Sequence, residues 1–222
     1  SKYPEYDEVE KIRGILRKSD KEIAIADYGA GSKRFRSESR KIKDIVKYSA
    51  VNKKHGRLLF RLVNYFKPDT ILELGTSLGI STMYMAKACK SARVISIEAD
   101  KEITRIARQN FIEAGLQNID VINNSFEKAL PGIIKGLNGR LFVFIDGNHE
   151  KASTLQYFNQ LLVKSENNLI LVFDDINWSH GMREAWQEIK TNTKVKITVD
   201  LFFMGIVFFN KGLPKQNFVI RY

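Results

Sequence analysis

Apolar and polar positions fall into blocks along this chain, and the blocks change period in a regular order. Five short apolar runs, at 70–74, 93–97, 120–122, 141–145 and 169–173, are each followed by a segment with helical spacing, at 77–90, 101–114, 126–137, 151–164 and 180–191. Runs of β-branched and aromatic residues without strict alternation fit strands buried on both faces, and each intervening helix has to return over one face of the sheet. The pattern therefore predicts an α/β fold with a doubly wound, mostly parallel, Rossmann-like sheet. After the fifth helix the pattern changes: strand-like runs at 196–203 and 206–209 are separated only by Met204-Gly205. So short a link cannot hold a crossover, and the two runs are expected to pair antiparallel. Ahead of the sheet, helices are predicted at 4–18, 38–50 and 53–66, the last stopped by Pro68, with a Gly/Ser/Arg loop at 27–37. This gives a single globular unit, with an N-terminal helical extension at 1–66 and the sheet-bearing part at 67–222.

Two segments compete for a ligand-binding glycine turn. Asp27-Tyr-Gly-Ala-Gly-Ser32 has an acid before closely spaced glycines, but Lys33-Arg34-Phe35-Arg36 follows it, which is no start for a buried helix. It also lacks a second strand with a terminal acid about 20 residues on. The segment Glu73-Leu-Gly75-Thr76-Ser77-Leu-Gly79-Ile-Ser81 closes an apolar run and opens a helix, and the next run ends in Ile97-Glu98-Ala99-Asp100. Gly75 lets the backbone approach a ligand with no β-carbon in the way, and Gly79 permits close helix packing. Glu98 is placed to accept both hydroxyls of a ribose.

Glu-Leu-Gly-Thr-Ser-Leu-Gly-Ile-Ser followed by Ile-Ser-Ile-Glu resembles the first two motifs of small-molecule O-methyltransferases, the group that contains catechol O-methyltransferase and its bacterial relatives. The similarity runs roughly over 50–209 and includes the terminal antiparallel pair typical of class I methyltransferases. It implies S-adenosylmethionine as cofactor, bound by the turn of Glu73, Gly75, Thr76, Ser77, Gly79 and Ser81. It further implies Gly75, Ser77 and Ser81 near the methionine end, Glu98 at the ribose and Ser125 beside the adenine. Ser125 also reads as an ordinary N-cap for the helix starting at Phe126, and the two roles are compatible.

Ligands of open α/β sheets bind beyond the carboxyl ends of the strands, so the acids ending the fourth and fifth runs carry weight. They are Asp146 in Ile145-Asp-Gly-Asn-His149, and Asp174 and Asp175 in Phe173-Asp-Asp-Ile-Asn-Trp178. Three carboxylates in a small space repel unless a divalent cation, a cationic substrate or a bound proton relieves them. The resemblance implies the first: Mg²⁺ or another divalent cation on Asp146, Asp174 and Asp175, lowering the pKa of an acceptor hydroxyl. Asp175 stands where that family has an asparagine, and His149 where it has a catalytic lysine. Asp146, His149 and Asp174 are thus the catalytic candidates, with His149 either a general base or a residue that shapes its loop. Without a metal, Asp146 would touch the cofactor's amino group, and Asp174 and Asp175 would steer an amine. Trp178, His180, Tyr28 and Phe35 are candidate walls of the acceptor pocket.

The net charge of +11 raises nucleic acid as an alternative acceptor. The excess is densest over 33–54, where nine lysines and arginines face only Glu38 and Asp44, yet few aromatics interleave with them. Asp146-Gly-Asn-His149 also lacks the Pro-Pro-aromatic turn of base-amino methyltransferases. An RNA or amine N-methyltransferase is therefore the alternative to O-methylation of a small molecule. An NAD-dependent dehydrogenase would call for Gly-x-Gly-x-x-Gly and a second mononucleotide-binding half, and a non-catalytic binding protein on the same fold stays open. The one cysteine, Cys89, reads as a packing thiol on a helix. The longest apolar run, 201–209, is too short to span a bilayer, and no basic-then-apolar leader is seen, so the expected location is the cytoplasm. The N-terminal helices are expected to cap the pocket and to mediate contacts of a homodimer.

Overall fold

The computed structural model describes residues 3–25, 39–166 and 168–222. In chain order these form α1 (Pro4–Leu16), β1 (Glu22–Ala24), β2 (Ser39–Lys41), α2 (Ile42–Tyr48), α3 (Lys53–Phe66), β3 (Thr70–Leu74), α4 (Ile80–Ala88), β4 (Arg93–Glu98), α5 (Lys101–Glu113), β5 (Ile119–Asn123) and α6 (Phe126–Gly136). There follow β6 (Leu141–Ile145), α7 (Lys151–Leu161) with one 3₁₀ turn behind it, β7 (Leu169–Phe173), α8 (His180–Thr191), β8 (Ile197–Asp200), β9 (Gly205–Phe208) and β10 (Gln216–Val219).

An eight-stranded sheet of order β10-β8-β9-β7-β6-β3-β4-β5 organises the molecule. β5, β4, β3, β6 and β7 run parallel in a row. β9 then inserts antiparallel between β7 and β8, as the short link of residues 201–204 requires; the strand expected at 196–203 ends at Asp200. The strand-to-strand alternation of side chains divides the core in two. Ile71, Val94, Phe142, Phe144 and Val172 face a layer of α1 to α5, while Leu72, Ile95, Val143, Leu171 and Phe173 face α6 to α8. β6 and β7 are buried along their whole length because helices cover both faces, which explains why their sequences are unbroken apolar runs.

Helix boundaries follow local chemistry. Asn52, Asp100 and Ser179 each accept a bond from a backbone N–H of the first turn, at 2.9, 2.8 and 3.1 Å, and so cap α3, α5 and α8. α3 ends on Lys67 in the left-handed region (φ 45°), directly before Pro68.

Several elements differ from expectation, among them the unpredicted strand β1. Residues 39–41, expected to be helical, pair instead as β2 with β1 in a small antiparallel hairpin, and α2 starts only at Ile42. β10 was not foreseen; it runs parallel to β8 at the sheet's edge with all four residues exposed. α4 begins at Ile80 and not at Ser77, because the turn from Gly75 takes up the intervening residues. The first glycine segment, Asp27–Ser32, together with Tyr28 and Phe35, lies outside the described residues.

Candidate active site

The site is laid out by strand register. Leu74 pairs with Ile97 on one side and with Ile145 on the other, and Ile145 pairs with Phe173. The next residue of each strand therefore stands in one row across the end of the sheet: Glu98, Gly75, Asp146 and Asp174. Backbone bonds hold the row, from Gly75 N to Ile97 O at 3.0 Å and from Asp146 N to Leu74 O and Asp174 N to Ile145 O at 2.9 Å.

The turn after β3 has a left-handed backbone at Gly75 (φ 106°), Ser77 (φ 47°) and Gly79 (φ 81°). Gly79 has no room for a side chain, since a β-carbon there would lie 2.4 Å from the ring of Phe111 on α5. The Ser77 N–H donates to Glu98 Oε2 at 2.9 Å, and the Asp100 N–H donates to Glu98 Oε1 at 3.0 Å. Glu98 thus ties the turn to the end of β4, and the Ala99 backbone also bonds its carboxylate. Burial holds its pKa above the usual carboxylate value.

Glu73, Thr76 and Ser81, grouped with this turn as cofactor residues, lie behind it. Glu73 is wholly buried and accepts the Ser81 and Ser96 hydroxyls at 2.6 Å each, together with that of Thr82. Thr76 Oγ1 meets Ser96 Oγ at 2.5 Å. Burial pushes the Glu73 carboxyl up to about 7, against the pull of the three hydroxyls. Ser125 occupies the N-cap position of α6 with extended backbone, yet its hydroxyl makes no capping bond.

On the acceptor side, Asn148 (φ 51°) fixes the loop after β6 by donating to Ser153 Oγ at 2.9 Å and Tyr157 Oη at 3.2 Å. This brings His149 Nε2 to 3.7 Å from Asp146 Oδ1 and 3.9 Å from Asp175 Oδ2. Burial lowers the imidazole's pKa, so the ring is neutral at neutral pH. Burial, reinforced by Asp174, Asp175 and Glu73, raises Asp146. Burial followed by Asp175 raises Asp174 to about 7.

These three aspartates do not meet the expectation of a metal site in their placement. Among the described residues, no group of three or more His, Cys, Asp or Glu side chains is arranged to hold a metal ion. Asp175 adopts a left-handed backbone (φ 53°), and its side chain remains partly exposed.

Sequence reasoning missed one wall of the site. The tip of the β8–β9 hairpin is held over the loop after β7 by bonds from Ile176 N to Phe203 O at 3.2 Å and from Asn177 Nδ2 to Phe202 O at 2.7 Å. Exposed rings of Trp178, Phe202 and Phe203 therefore line the rim. His55, in the first turn of α3, packs its ring 5.5 Å from that of Phe203. Burial and Lys54 lower the His55 pKa, and the charge of Asp175 opposes them. No local motif announces His55, because α3 reaches the rim only through packing. His180, expected as a wall, is exposed and pairs with Glu184 along α8 at 3.6 Å.

Residues 72–176 match the family model described as a methyltransferase domain. A catechol O-methyltransferase of Niastella koreensis is 30% identical over 130 residues, covering 57% of this chain and 58% of that protein. One from Mycobacterium tuberculosis is 26% identical over 129 residues, covering 57% of each. The chain thus spans somewhat under three-fifths of the length of these curated relatives. Among solved structures, the O-methyltransferase from Bacillus cereus in complex with SAH superposes with a TM-score of 0.63 at 20% identity, covering 94% of this chain and 92% of that one. At that identity the likeness establishes the fold alone: a mostly parallel, Rossmann-like sheet shared with that O-methyltransferase.

Proposed function

We propose that this chain, which carries a methyltransferase domain over residues 72–176, transfers the methyl group of S-adenosylmethionine to an oxygen of a small-molecule acceptor. The observation that carries the reading is the left-handed turn at Gly75–Gly79 bonded to Glu98 on the neighbouring strand. In this reading the Glu98 carboxylate receives the ribose hydroxyls, Ser125 borders the adenine, and the methionine end lies over Gly75 and Ser77 toward Asp146. The row of carboxylates suits a ligand with a cationic sulfonium and ammonium.

The acceptor then lies between Asp146, His149 and Asp174, under the rim of Trp178, Phe202, Phe203 and His55. Neutral His149 takes the hydroxyl proton on Nε2 as the acceptor oxygen attacks the methyl carbon. The carbon–sulfur bond breaks, and its electron pair stays on sulfur, giving a methyl ether and S-adenosylhomocysteine. Asp146, 3.7 Å from that nitrogen, stabilises the imidazolium formed. No step is routed through a metal, because the carboxylates as placed supply no ligand set.

A second reading, N-methylation of an amine, draws support from the same acids: among the described residues, no cationic group acts on Asp146 or Asp174, and a substrate ammonium would supply one.

Calorimetric titration with S-adenosylhomocysteine and with NAD tests the cofactor. Methyl transfer to catechols, amines and RNA, with added Mg²⁺ and after EDTA, tests the acceptor and any cation requirement. Binding of NAD in preference to S-adenosylhomocysteine would overturn the reading.

A further inference from the structure

Glu73 stands two residues before Gly75 in the central strand β3, flanked by β4 and β6. It is 0% exposed, and both carboxylate oxygens are taken by hydroxyls: Ser81 on Oε1, Ser96 and Thr82 on Oε2. Among the described residues, the groups that act on it are these hydroxyls and the carboxylate of Glu98, none of them cationic. A buried anion with no countercharge among the described residues is costly, whereas a glutamine amide of the same shape would bond the same rotatable hydroxyls without that cost. Shape and hydrogen bonding therefore do not account for a charge here. The carboxylate is also electrically in touch with the row on either side of Gly75, since Glu98 acts on it and it acts on Asp146.

We infer that Glu73 is a positioning residue whose negative charge acts through the cofactor turn, favouring the cationic sulfonium of S-adenosylmethionine over the neutral thioether left after transfer. The inference rests on the adenosyl-cofactor reading above and adds to it a means of exchanging spent for fresh cofactor. Glu73 does not touch the ligand. Its hydroxyl partners at Ser81, Thr82 and Ser96 fix the turn, and its field reaches the cleft through an interior where a unit charge is weakly screened.

The test is calorimetric, with S-adenosylmethionine and S-adenosylhomocysteine titrated separately at pH 8 into wild type, Glu73→Gln and Glu73→Asp. In Glu73→Gln, affinity for the sulfonium is expected to fall about tenfold more than affinity for the thioether, the scale of one charge interaction in a partly screened interior. Glu73→Asp, which keeps the charge, should hold the wild-type ratio of affinities. A purely structural role would weaken both ligands alike. An unchanged ratio in Glu73→Gln, or equal loss of both ligands, overturns the inference. Should Glu73→Gln fail to fold, Thr82→Val combined with Ser96→Ala removes two donors, so that the buried carboxyl takes up a proton; the ratio should shift in the same direction, and no shift overturns the inference. Wild type that binds neither ligand would instead refute the cofactor reading, and this inference with it.

Discussion

The α-carbon of Gly75 faces the backbone of Asp146 so closely that a β-carbon built on it would lie 1.9 Å from the Asp146 carbonyl oxygen. That oxygen belongs to the neighbouring strand's end and cannot rotate away as a side chain would. The contact joins the cofactor half of the site to the acceptor half through main-chain atoms alone.

Gly75→Ala is therefore expected to damage both halves. The φ of 106° is itself costly for a residue with a β-carbon, and the overlap forces β3 and β6 apart at their tips. A loss on the order of 2–4 kcal/mol in unfolding free energy follows, with S-adenosylhomocysteine affinity reduced by tenfold or more. Chemical denaturation and calorimetry check both. Wild-type affinity in the variant would show that the turn does not contact the ligand.

Glu98→Ala removes the acceptor of the Ser77 and Asp100 N–H groups and the proposed ribose partner together. Loss of charge-assisted hydrogen bonds worth about 1.5–3 kcal/mol corresponds to roughly 10- to 100-fold weaker S-adenosylhomocysteine binding. Calorimetry reads the effect, and an unchanged dissociation constant would contradict the ribose assignment.

His149→Ala should leave cofactor affinity within about twofold and lower kcat by roughly 100- to 10,000-fold, the range for a lost general base. Because burial lowers the imidazole's pKa, the wild-type rate should hold on the acid side below the ordinary histidine value of 6.5 before it falls. A variant with wild-type turnover would reduce His149 to a loop-shaping role.

The buried carboxyls make stability depend on pH. Glu73 and Asp174 bind protons more tightly in the folded state, at about 7, than at their ordinary values of 4.5 and 3.8. Their contribution is fully present below those ordinary values and is lost as pH rises through about 7. The melting temperature of the ligand-free protein should accordingly fall between pH 5 and pH 8, opposed in part by His149, whose lowered pKa favours folding as pH rises. Asp174→Asn should be more stable than wild type at pH 8 by on the order of 1–3 kcal/mol, near wild type at pH 5, and deficient in methyl transfer. Parallel melting curves of the two proteins against pH decide this.

Phe203→Ala opens the rim where His55 and the hairpin tip meet. The acceptor KM should rise several-fold with cofactor affinity unchanged, as expected for lost burial of apolar ligand surface of about 25 cal/mol per Å². Steady-state kinetics with the acceptor found in the transfer assays provides the check.

Most of the sheet could be read from the chain because its strands are buried on both faces and its helices on one, so burial writes an unambiguous pattern into 141–145 and 169–173. The same logic hides β10, whose residues are all exposed. It also hides β2, where Ser-Arg-Lys carries no apolar alternation and reads as the start of the next helix. Within the site, the alignment of Glu98, Asp146 and Asp174 was legible because each directly follows or ends a parallel strand. Thr76 and Ser81 were assigned to the ligand on motif alone, and only the side-chain bonds to Ser96 and Glu73 reveal that they face inward. His55 and Phe203 come together from segments almost 150 positions apart, a proximity that no local pattern encodes.

The row of register-matched strand ends has a consequence for how this molecule can diverge. A single residue inserted within β6 would turn every later side chain of that strand into the opposite helical layer and carry Asp146 out of line with Gly75. The same insertion in a connection entering the strands from the far end leaves the alignment untouched. Length variation among descendants of this chain should therefore gather in the connections and stay out of β3, β6 and β7 themselves.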